Sequence, residues 1–440
     1  MFEGLIHNGT TIASHADPTD KEQTVLFPSL KTRAIDKTSD TSFVTRGTEV
    51  IFVDTVDCEN LVAGDTYRIH GKLMDKETGK PLGYEVYSEP FTAENSNETV
   101  EVEFSVNTER LDSGIIVVFE DLYLVKEDGT EVLAVKHEDI DDEDQSLYYP
   151  EIGTTAVNAA TETHEVQGKS KVTLKDTVSY KNLKVGEEYT VVGILMDKET
   201  SDPILINGEY VTSSATFIPA EKDGQTNVFF EFDASELVGK TVVVFESLFY
   251  ESVEIAVHAD IEYDAQSVNV IDIRTTAVDA ESGTHTATWK RDAEIIDTVS
   301  YTGLTPGKTY TVYGTVMLSG TGEDLYQDGV PVTGMTEFIP EEPDGTVDVS
   351  FTLNTFILQD MDIVVFEYLF AGSVMNGDLE SETPIATHED LYDDDQTVYV
   401  PEMPREPVNT GVNSHIGLYF TAMLTSGAGL VWLYNRRKRH

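Results

Sequence analysis

A His followed eight positions later by a Gln occurs four times in this chain, and this spacing constrains the fold more than any other feature. The copies start at His15, His137, His258 and His388, and acidic residues crowd each of them. The last three copies close segments that align with one another over roughly 120 residues. These segments must fold alike, and the fixed spacing indicates a shared structural or chemical role.

Inside each segment the pattern is that of β-strands. Runs such as "TVEVEFSV", "NVFFEFD" and "TVDVSFTL" alternate apolar and polar residues and are separated by Gly, Asp and Asn. No sustained helical periodicity precedes residue 416. We therefore predict an all-β chain of tandem immunoglobulin-like β-sandwich repeats in a rod, followed by one C-terminal transmembrane helix.

The alignment divides the chain into five parts. Residues 1–28 look like the C-terminal part of a preceding repeat, because "MFEGL" matches "VFEDL" and "VFESL" late in two other repeats. The N-terminus shows neither the basic nor the apolar region of a signal peptide, so we expect a C-terminal fragment of a longer protein. The remaining parts are repeat 1 (29–150), repeat 2 (151–272), repeat 3 (273–402) and an anchor-like segment (403–440).

The overall charge limits the possible partners. The formal net charge is −51, which argues against a nucleic-acid partner because such a protein needs a basic surface. Cys58 is the single cysteine, so no intramolecular disulfide can form. If the protein is exported, something other than disulfides must stabilise its domains.

Strand alternation places several polar side chains on apolar faces. In "KVTLKDTVS" Asp176 shares a face with Leu174 and Val178, and Gln266 and Thr32 face inward by the same rule. The Glu of each "VFE" sequence lies in a run that is apolar on both faces. Buried carboxylates must be paired, protonated or hydrogen-bonded, so each repeat is predicted to contain a buried polar cluster.

Two interpretations of this cluster remain open at the level of residues. It could be a structural hydrogen-bond network that fixes strand register. It could instead perform intramolecular acyl transfer, in which a Thr hydroxyl activated by His and an acid pair attacks a Gln carboxamide and releases ammonia. The acidic runs "DIDDED" and "YDDD" lack the Gly and terminal Glu of an EF-hand, so we interpret them as a solvated face and predict no metal or cofactor.

The sequences x-T-x-A, D-T-V, V-x-F-E and H-x-D-x-x-x-x-x-Q-[ST] occur together in the three repeats. This combination resembles the ester-bond-forming (T-Q, or VaFE) immunoglobulin-like repeats of Gram-positive surface adhesins. The resemblance implies three ester cross-links, which join Thr32 to Gln145, Thr154 to Gln266 and Thr275 to Gln396. It implies a catalytic acid pair and His in each repeat: Asp54, Glu120 and His137; Asp176, Glu246 and His258; Asp297, Glu367 and His388.

Competing threonines lie close to the predicted nucleophiles. Thr38 is an alternative in repeat 1, and Thr155 and Thr276 directly follow the preferred residues in the later repeats. Strand alternation turns the side chain of the first Thr of each pair toward the core, so the first Thr is favoured. Residues 1–28 contain the Glu, His and Gln but neither the Thr nor the Asp, so no cross-link is predicted there.

The C-terminal segment predicts attachment to a cell surface. Residues 416–434 carry no charge, would span about 28 Å as a helix, and are followed by "RRKR", which the positive-inside rule keeps cytoplasmic. The preceding "PVNTG" resembles a sortase sorting signal, which implies cleavage between Thr410 and Gly411 and attachment of Thr410 to the cell wall. Val408 and Pro407 stand where that motif usually has Pro and Leu, and a plain membrane anchor is the alternative.

The favoured function is a surface-anchored stalk with self-formed cross-links and no enzymatic turnover. It would present a region encoded upstream to an unknown host or surface ligand, with the N-terminal part extracellular. One alternative is a repeat protein that binds a ligand itself, through loops such as "LYQDGVPVTGM", with a purely structural polar cluster. A hydrolase is a third possibility, but an internal Gln in every site argues against it.

Overall fold

We analysed a computed structural model that describes residues 1–375, 379 and 381–403. The described residues form β-strands and short 3-10 turns with no α-helix, and successive sheets follow one another along the chain. The predicted all-β class is thus confirmed. Within the described ranges no helix has the length and apolar character needed to cross a membrane. The predicted helix at 416–434 and the Thr410-Gly411 site lie outside these ranges.

The N-terminal residues form an exposed hairpin. Strands β1 (Glu3–His7) and β2 (Thr10–His15) pair in antiparallel fashion, and their residues are exposed. Asn8 and Gly9 connect them with φ angles of 47° and 79°. Two successive positive φ angles are the requirement of a type I′ turn, which explains the Asn-Gly sequence at this point.

Repeat 1 contains two sheets. One has the order β3-β4-β8; the other has the order β10-β9-β5-β6, with β11 beside β9 and β7 beside β5. The strands are β3 (Ser29–Asp36), β4 (Val50–Glu59), β5 (Thr66–Asp75), β6 (Pro81–Tyr87), β7 (Phe91–Thr92), β8 (Glu98–Val106), β9 (Ile115–Val125), β10 (Glu131–His137) and β11 (Ser146–Tyr148).

Repeat 2 has the corresponding sheets β12-β14-β19 and β18-β15-β20-β22, with β21 beside β20 and β13 beside β22. The strands are β12 (Glu151–Asn158), β13 (Glu165–Gln167), β14 (Val172–Lys181), β15 (Tyr189–Asp197), β16 (Leu205–Ile206), β17 (Glu209–Tyr210), β18 (Thr212–Phe217), β19 (Gly224–Phe232), β20 (Thr241–Tyr250), β21 (Val253–His258) and β22 (Ser267–Asp279).

In repeat 3 the second half of β22 pairs with β23, which pairs with β29, and the other sheet has the order β25-β24-β30-β31, with β28 beside β24 and β32 beside β30. The strands are β23 (Ala293–Thr302), β24 (Tyr310–Leu318), β25 (Glu323–Asp324), β26 (Tyr326–Gln327), β27 (Val330–Pro331), β28 (Thr333–Phe338), β29 (Gly345–Leu353), β30 (Met361–Ala371), β31 (Ala386–His388) and β32 (Thr397–Val400).

Alternating side chains from the two sheets of a repeat form its core. In β14, Leu174 and Val178 are fully buried while their neighbours are partly exposed, as the period of a strand dictates. They pack in one apolar cluster with Val191, Phe230 and Val244 from other strands of repeat 2. Repeats 1 and 3 contain equivalent clusters. Each repeat therefore has its own core, and polar groups within it are withdrawn from water.

The joint between repeats 1 and 2 is apolar. Phe43 of repeat 1 is buried, and its ring centroid lies 4.7 Å from that of Tyr250 and 5.8 Å from that of Tyr189 in repeat 2. The strands on either side of this joint are separate elements, β11 and β12, with Pro150 between them. Proline has no backbone N–H to donate to a ladder, so it interrupts the pairing here.

The joint between repeats 2 and 3 has a different chemistry. β22 runs through it without interruption, pairing with β20 in repeat 2 and with β23 in repeat 3. The position equivalent to Phe43 is occupied by Glu165, which is buried and accepts hydrogen bonds from three side chains of repeat 3. The donor atoms are Lys308 Nζ at 3.0 Å, Tyr310 Oη at 3.2 Å and Thr305 Oγ1 at 3.3 Å.

Candidate cross-linking site

In every repeat the Glu of the "VFE" sequence lies directly opposite the His of the His-to-Gln element. The three antiparallel pairs are Glu120 with His137, Glu246 with His258, and Glu367 with His388. Directly opposed residues on one face of a sheet are close enough to interact. Strand register thus brings two of the five predicted site residues together in all three repeats.

The Thr and the Asp lie on the other sheet of each repeat. The Ala two positions after each Thr is paired with the Asp: Ala34 with Asp54, Ala156 with Asp176, and Ala277 with Asp297. Residues two apart on a strand share a face, so each Thr is a diagonal neighbour of its Asp. Both side chains face the second sheet, which carries the Glu and the His.

The Gln stands at the end of a short turn that leads into the last strand of the repeat. In repeat 2 this turn is Asp264–Gln266, and in repeat 3 it is Asp394–Gln396. In repeat 1 the Ala34 backbone N–H donates to the carbonyl oxygen of Asp144 at 2.9 Å. This bond joins the Thr-bearing strand to the residue before Gln145 and brings the two ends of the repeat together.

Nearly all of the predicted residues are buried. The predicted Thr, Asp, Glu and Gln of the three repeats are each at most 4% exposed, and the His are partly buried: Thr32, Asp54, Glu120 and Gln145; Thr154, Asp176, Glu246 and Gln266; Thr275, Asp297, Glu367 and Gln396. The competing residues Thr38, Thr155 and Thr276 are exposed. The structure therefore places one Thr and one Gln of each repeat in a water-excluded pocket with two acids.

Hydrogen bonds tie each Gln amide to the pocket acids. Gln145 Nε2 donates to Glu120 Oε2, and Gln266 Nε2 donates to Glu246 Oε2 at 2.8 Å. Gln396 Nε2 donates to the backbone oxygen of Val365 at 2.8 Å and to Glu367 Oε2 at 3.3 Å. The amide nitrogen, which would leave as ammonia, therefore donates to the Glu carboxyl in every repeat.

Burial and proximity change the acidity of the two carboxyl groups. Burial raises the pKa of Asp54 to about 6. Burial and a hydrogen bond with Asp176 raise the pKa of Glu246 to about 10. The pKa values of Glu120 and Glu367 are raised well above the usual range by burial and the neighbouring Asp, and burial raises those of Asp176 and Asp297. Each pair can hold one shared proton at neutral pH, with the Glu as its carrier.

The pockets contain polar atoms that lack partners. The Oε1 atoms of Gln145, Gln266 and Gln396 are buried and receive no hydrogen bond from any described residue, and the same holds for Thr32 Oγ1. Leaving such groups unsatisfied costs free energy, since water cannot reach them. An ester between Thr and Gln would remove one buried hydroxyl donor from each pocket. This arrangement can therefore perform proton transfer and acyl transfer between its own residues.

Sequence reasoning missed a glycine in each pocket wall. Gly71, Gly193 and Gly314 lie opposite Glu120, Glu246 and Glu367 on the neighbouring strand. A Cβ on any of the three would lie less than 3.0 Å from a core Phe ring, that of Phe104, Phe230 or Phe351. The recurring Tyr-x-x-x-Gly sequence, as in "YRIHG" and "YTVVG", was the signal that could have revealed them.

The N-terminal hairpin contains half of the same arrangement. Glu3 lies opposite His15, and Gln23 Nε2 lies 2.7 Å from His15 Nδ1. Glu3 and His15 lie on an exposed hairpin and Gln23 lies in the short turn Lys21–Gln23 that follows it. Residues 1–27 provide no Thr-bearing or Asp-bearing strand to cover these side chains. The Glu–His–Gln register thus forms without the second sheet, but the sealed pocket does not.

The acidic runs near each Gln have local structural roles. Asp139, Asp260 and Asp390 each accept a hydrogen bond from the backbone N–H two residues ahead, at 2.9–3.0 Å. Such bonds stabilise turns. Across the described ranges, no group of His, Cys, Asp and Glu residues is arranged to hold a metal ion.

Comparison with known protein families identifies the repeats. The family model of the T-Q ester bond containing domain matches residues 1–27, 28–149, 150–270 and 271–400. The chain therefore belongs to the T-Q ester bond containing domain family, as its sequence pattern predicted. No curated protein sequence matches the chain significantly.

Solved structures similar to the chain include a bacterial adhesin from Mobiluncus mulieris that contains intramolecular disulfide, isopeptide and ester bond cross-links. It is 17% identical, the match covers 50% of this chain and 80% of that chain, and the TM-score is 0.25. Another is the C-terminal domain of the AgI/II polypeptide BspA from Streptococcus agalactiae, which is 9% identical over 52% of this chain and 97% of that chain, with a TM-score of 0.29.

Proposed function

We propose that each complete repeat forms an ester bond between its Thr and its Gln, and that the three cross-linked repeats act as the stalk of a surface-anchored adhesin. The bonds join Thr32 to Gln145, Thr154 to Gln266 and Thr275 to Gln396. Each reaction occurs once, releases one ammonia and leaves the two reacting side chains joined within the chain. The protein therefore modifies itself without enzymatic turnover.

One observation carries this proposal. In three repeats with different surface sequences, the same Thr, Asp, Glu and Gln are withdrawn from water together, and the Gln amide nitrogen contacts an acid in each. A register-fixing network would satisfy its polar groups with one another, yet here the Gln Oε1 atoms have no partner among the described residues. Burial of a hydroxyl and a carboxamide together beside two acids is the arrangement that a bond between them requires.

The reaction needs a base, an acid and contact between the two reacting groups. The Thr hydroxyl gives up its proton as its oxygen attacks the Gln carbonyl carbon, and the amide nitrogen gains a proton as the carbon–nitrogen bond breaks. The His and the acid pair supply these proton transfers, and the raised pKa of the Glu keeps a proton beside the leaving nitrogen. One hydroxyl and one carboxamide become one ester and one ammonia.

Such a bond would stabilise a repeat mechanically and thermodynamically. It closes a loop of more than 100 residues, which in the chain-entropy model contributes about 4–5 kcal/mol to the free energy of unfolding. It also joins the first and last strands of a repeat, so a pulling force passes through a covalent bond. We infer that the repeats are immunoglobulin-like sandwiches arranged as a rod. This rod would form a stalk that needs no disulfide.

The remaining parts of the proposal concern location. Residues 416–434 would hold the chain in a membrane, and a sortase acting at Thr410 would transfer it to a Gram-positive cell wall. The adhesin role draws support from the family and from the described cross-links of the Mobiluncus mulieris protein.

Intact-mass measurement of the purified chain tests the bonds. We expect the mass to be lower than the sequence mass by three ammonia molecules, and Gln145→Ala, Gln266→Ala and Gln396→Ala each to abolish one loss. Thr154→Ala should also abolish one loss, whereas the matched change Thr155→Ala, at an exposed neighbour, should abolish none. A wild-type mass equal to the sequence mass would refute the proposal.

A further inference from the structure

A glutamine of repeat 2 reaches across the joint and bonds to the backbone of repeat 3. Gln167 Oε1 accepts a hydrogen bond from the Thr387 backbone N–H at 3.0 Å, and Gln167 Nε2 donates to the backbone oxygen of the same residue at 2.8 Å. Opposed residues of an antiparallel ladder exchange the same two bonds. The side-chain amide therefore takes the place of a strand residue at this edge of repeat 3.

The strand that receives this amide is short and carries a pocket residue. β31 comprises the three residues Ala386–His388 at the edge of its sheet, whereas the corresponding strands β10 and β21 have seven and six residues. Thr387 directly precedes His388, which lies opposite Glu367. A short ladder thus holds His388 from within repeat 3, and Gln167 adds two hydrogen bonds from outside it.

The same amide also contacts the strand that carries the predicted nucleophile. Gln167 Nε2 donates to Asp272 Oδ1 at 3.1 Å, and Asp272 lies on β22 three positions before Thr275. An amide nitrogen has two hydrogens, so it can serve both acceptors. Thr275 Oγ1 and His388 Nδ1 are 3.4 Å apart. Gln167 therefore bridges the two strands that bring the Thr and the His of repeat 3 together.

Two positions of repeat 2 differ from their counterparts, and the difference frees this side chain. In repeats 1 and 3 an Asp four positions after the predicted nucleophile accepts hydrogen bonds at 2.6–2.8 Å from the backbone N–H and the hydroxyl of a Thr nine positions further on: Asp36 with Thr45, and Asp279 with Thr288. Repeat 2 has Asn158 and Gln167 at these positions. A pair that closes a loop within its own repeat is thus replaced by a side chain that bonds to the next repeat.

We propose that Gln167 is a positioning residue for the pocket of repeat 3, and that repeat 3 forms its cross-link at full rate only when repeat 2 is folded beside it. This inference rests on the proposed ester formation. Gln167 acts through the strands it joins, since β31 and β22 set the distance between His388 and Thr275. Small displacements of reacting groups reduce rates strongly, so a loosened β31 should slow the reaction.

Other contacts of the joint can be changed separately. The ion pair between Lys308 and Glu165 lies near the start of β24, away from β31. Lys169 Nζ lies 3.3 Å from the Thr387 hydroxyl, but Lys169 is exposed and contacts the side chain instead of the backbone. A substitution at Gln167 therefore removes the bonds to the β31 backbone and leaves the ion pair of the joint in place.

Two variants and one control test the contact. Gln167→Met keeps the length of the side chain and removes both hydrogen bonds to Thr387. The double variant Asn158→Asp/Gln167→Thr removes the same bonds but introduces the local pair of repeats 1 and 3, so repeat 2 keeps a closed loop. Gln225→Met is the matched control, because Gln225 is an exposed residue of repeat 2 whose amide bonds to Ser179 within its own sheet.

Bond formation is followed in the full chain after a short pulse of cell-free synthesis. The linked peptide of each repeat is quantified by mass after proteolysis, and the rate of repeat 3 is expressed per molecule in which this repeat resists brief protease treatment. Loss of folding is thereby excluded from the rate. We expect both Gln167 variants to slow repeat 3 by about tenfold while repeat 1 of the same molecules keeps its rate. Gln225→Met should slow neither repeat, and Lys308→Met, which weakens the joint elsewhere, should slow repeat 3 far less.

A spectroscopic signature separates positioning from stability. In a Gln396→Ala background repeat 3 cannot link, and NMR signals of labelled imidazoles report the surroundings of each His. Gln167→Met should shift or broaden the His388 signal and leave those of His137 and His258 unchanged. An unchanged rate of repeat 3 in both Gln167 variants, an unchanged His388 signal, or equal slowing of repeats 2 and 3 would overturn this inference alone. Absence of ammonia loss in every wild-type repeat would overturn the proposed function with it.

Discussion

Repeat 2 contains two buried glutamates whose surroundings are opposite in character. Glu246, inside the pocket, lies beside Asp176 and His258 and has a pKa raised to about 10. Glu165, at the joint with repeat 3, is paired with Lys308 and accepts two hydroxyl hydrogen bonds. The same side chain thus carries a proton in one place and binds a cation in the other. Burial alone does not decide its role; the charge of its neighbours does.

The sharpest way to break this comparison is to remove the acid from the pocket. Glu246→Gln should leave repeat 2 without its cross-link, because no proton carrier then faces the Gln266 amide. The loss of the covalent loop should lower the free energy of unfolding of repeat 2 by about 4–5 kcal/mol. Intact mass and thermal unfolding measure the two effects. The control Glu254→Gln changes an exposed Glu of β21 and should alter neither; a persistent bond in Glu246→Gln would contradict the assignment.

The apolar joint provides the next comparison, since Phe43 takes the place in repeat 1 that Glu165 takes in repeat 2. Phe43→Ala should lower the free energy of unfolding by about 3–4 kcal/mol, because a fully buried ring that contacts three tyrosines is lost. Denaturant unfolding, with limited proteolysis around Pro150, would detect the loosened joint. Phe229→Ala, at a half-exposed position on β19, is the matched control and should cost much less.

The pH dependence of an unlinked repeat should reveal the protonated acid. In Gln266→Ala the acid pair stays buried and cannot react. Because the pKa of Glu246 is raised in the folded state, folding binds a proton, and stability should fall as pH rises above the unfolded value near 4.5. We expect chemical denaturation to show that the free energy of unfolding falls by about 3 kcal/mol between about pH 6 and 8. Adding Glu246→Gln should flatten this slope, and a stability of Gln266→Ala that does not change with pH would show that the Glu is ionised in the folded state.

The smallest effect is expected at the charged joint. Lys308→Met should destabilise the contact between repeats 2 and 3 by about 1–2 kcal/mol, because Glu165 is then buried without its cation while water reaches the site only in part. Lys171→Met removes an exposed ion pair with Glu231 and should change stability by less than about 0.5 kcal/mol. If Lys308→Met and Lys171→Met lower the free energy of unfolding by the same amount, the ion pair between Glu165 and Lys308 does not stabilise the joint.

Much of the pocket was predictable because strands have a period of two. Alternation alone placed Asp176 and Gln266 with apolar residues, and both are buried. The pairing of Glu246 with His258 could not be predicted from the sequence, because it depends on a register shift near Leu248 that no local pattern indicates. Gly193 was overlooked because its role is to leave space for the Phe230 ring.

The joints were the least predictable part of the fold. Glu165 and Lys308 are 143 positions apart, and a charged residue on a short strand gives no sign that a later repeat will bury it. Phe43 stands in a polar loop sequence, "TSDTSFVT", where a single aromatic residue predicts no particular partner. Contacts between repeats depend on how whole domains meet, so sequence periodicity within one domain does not predict them.

The uninterrupted strand β22 begins directly after Gln266 and contains Thr275. If both esters form, residues 267–274 are the covalent connection between the closed loop of repeat 2 and the closed loop of repeat 3. A β-strand is already near its full length, at about 3.3 Å per residue against a limit of about 3.3–3.6 Å. A pulling force on this part of the molecule could therefore lengthen the linking strand very little, and the two repeats would resist extension instead of stretching under tension.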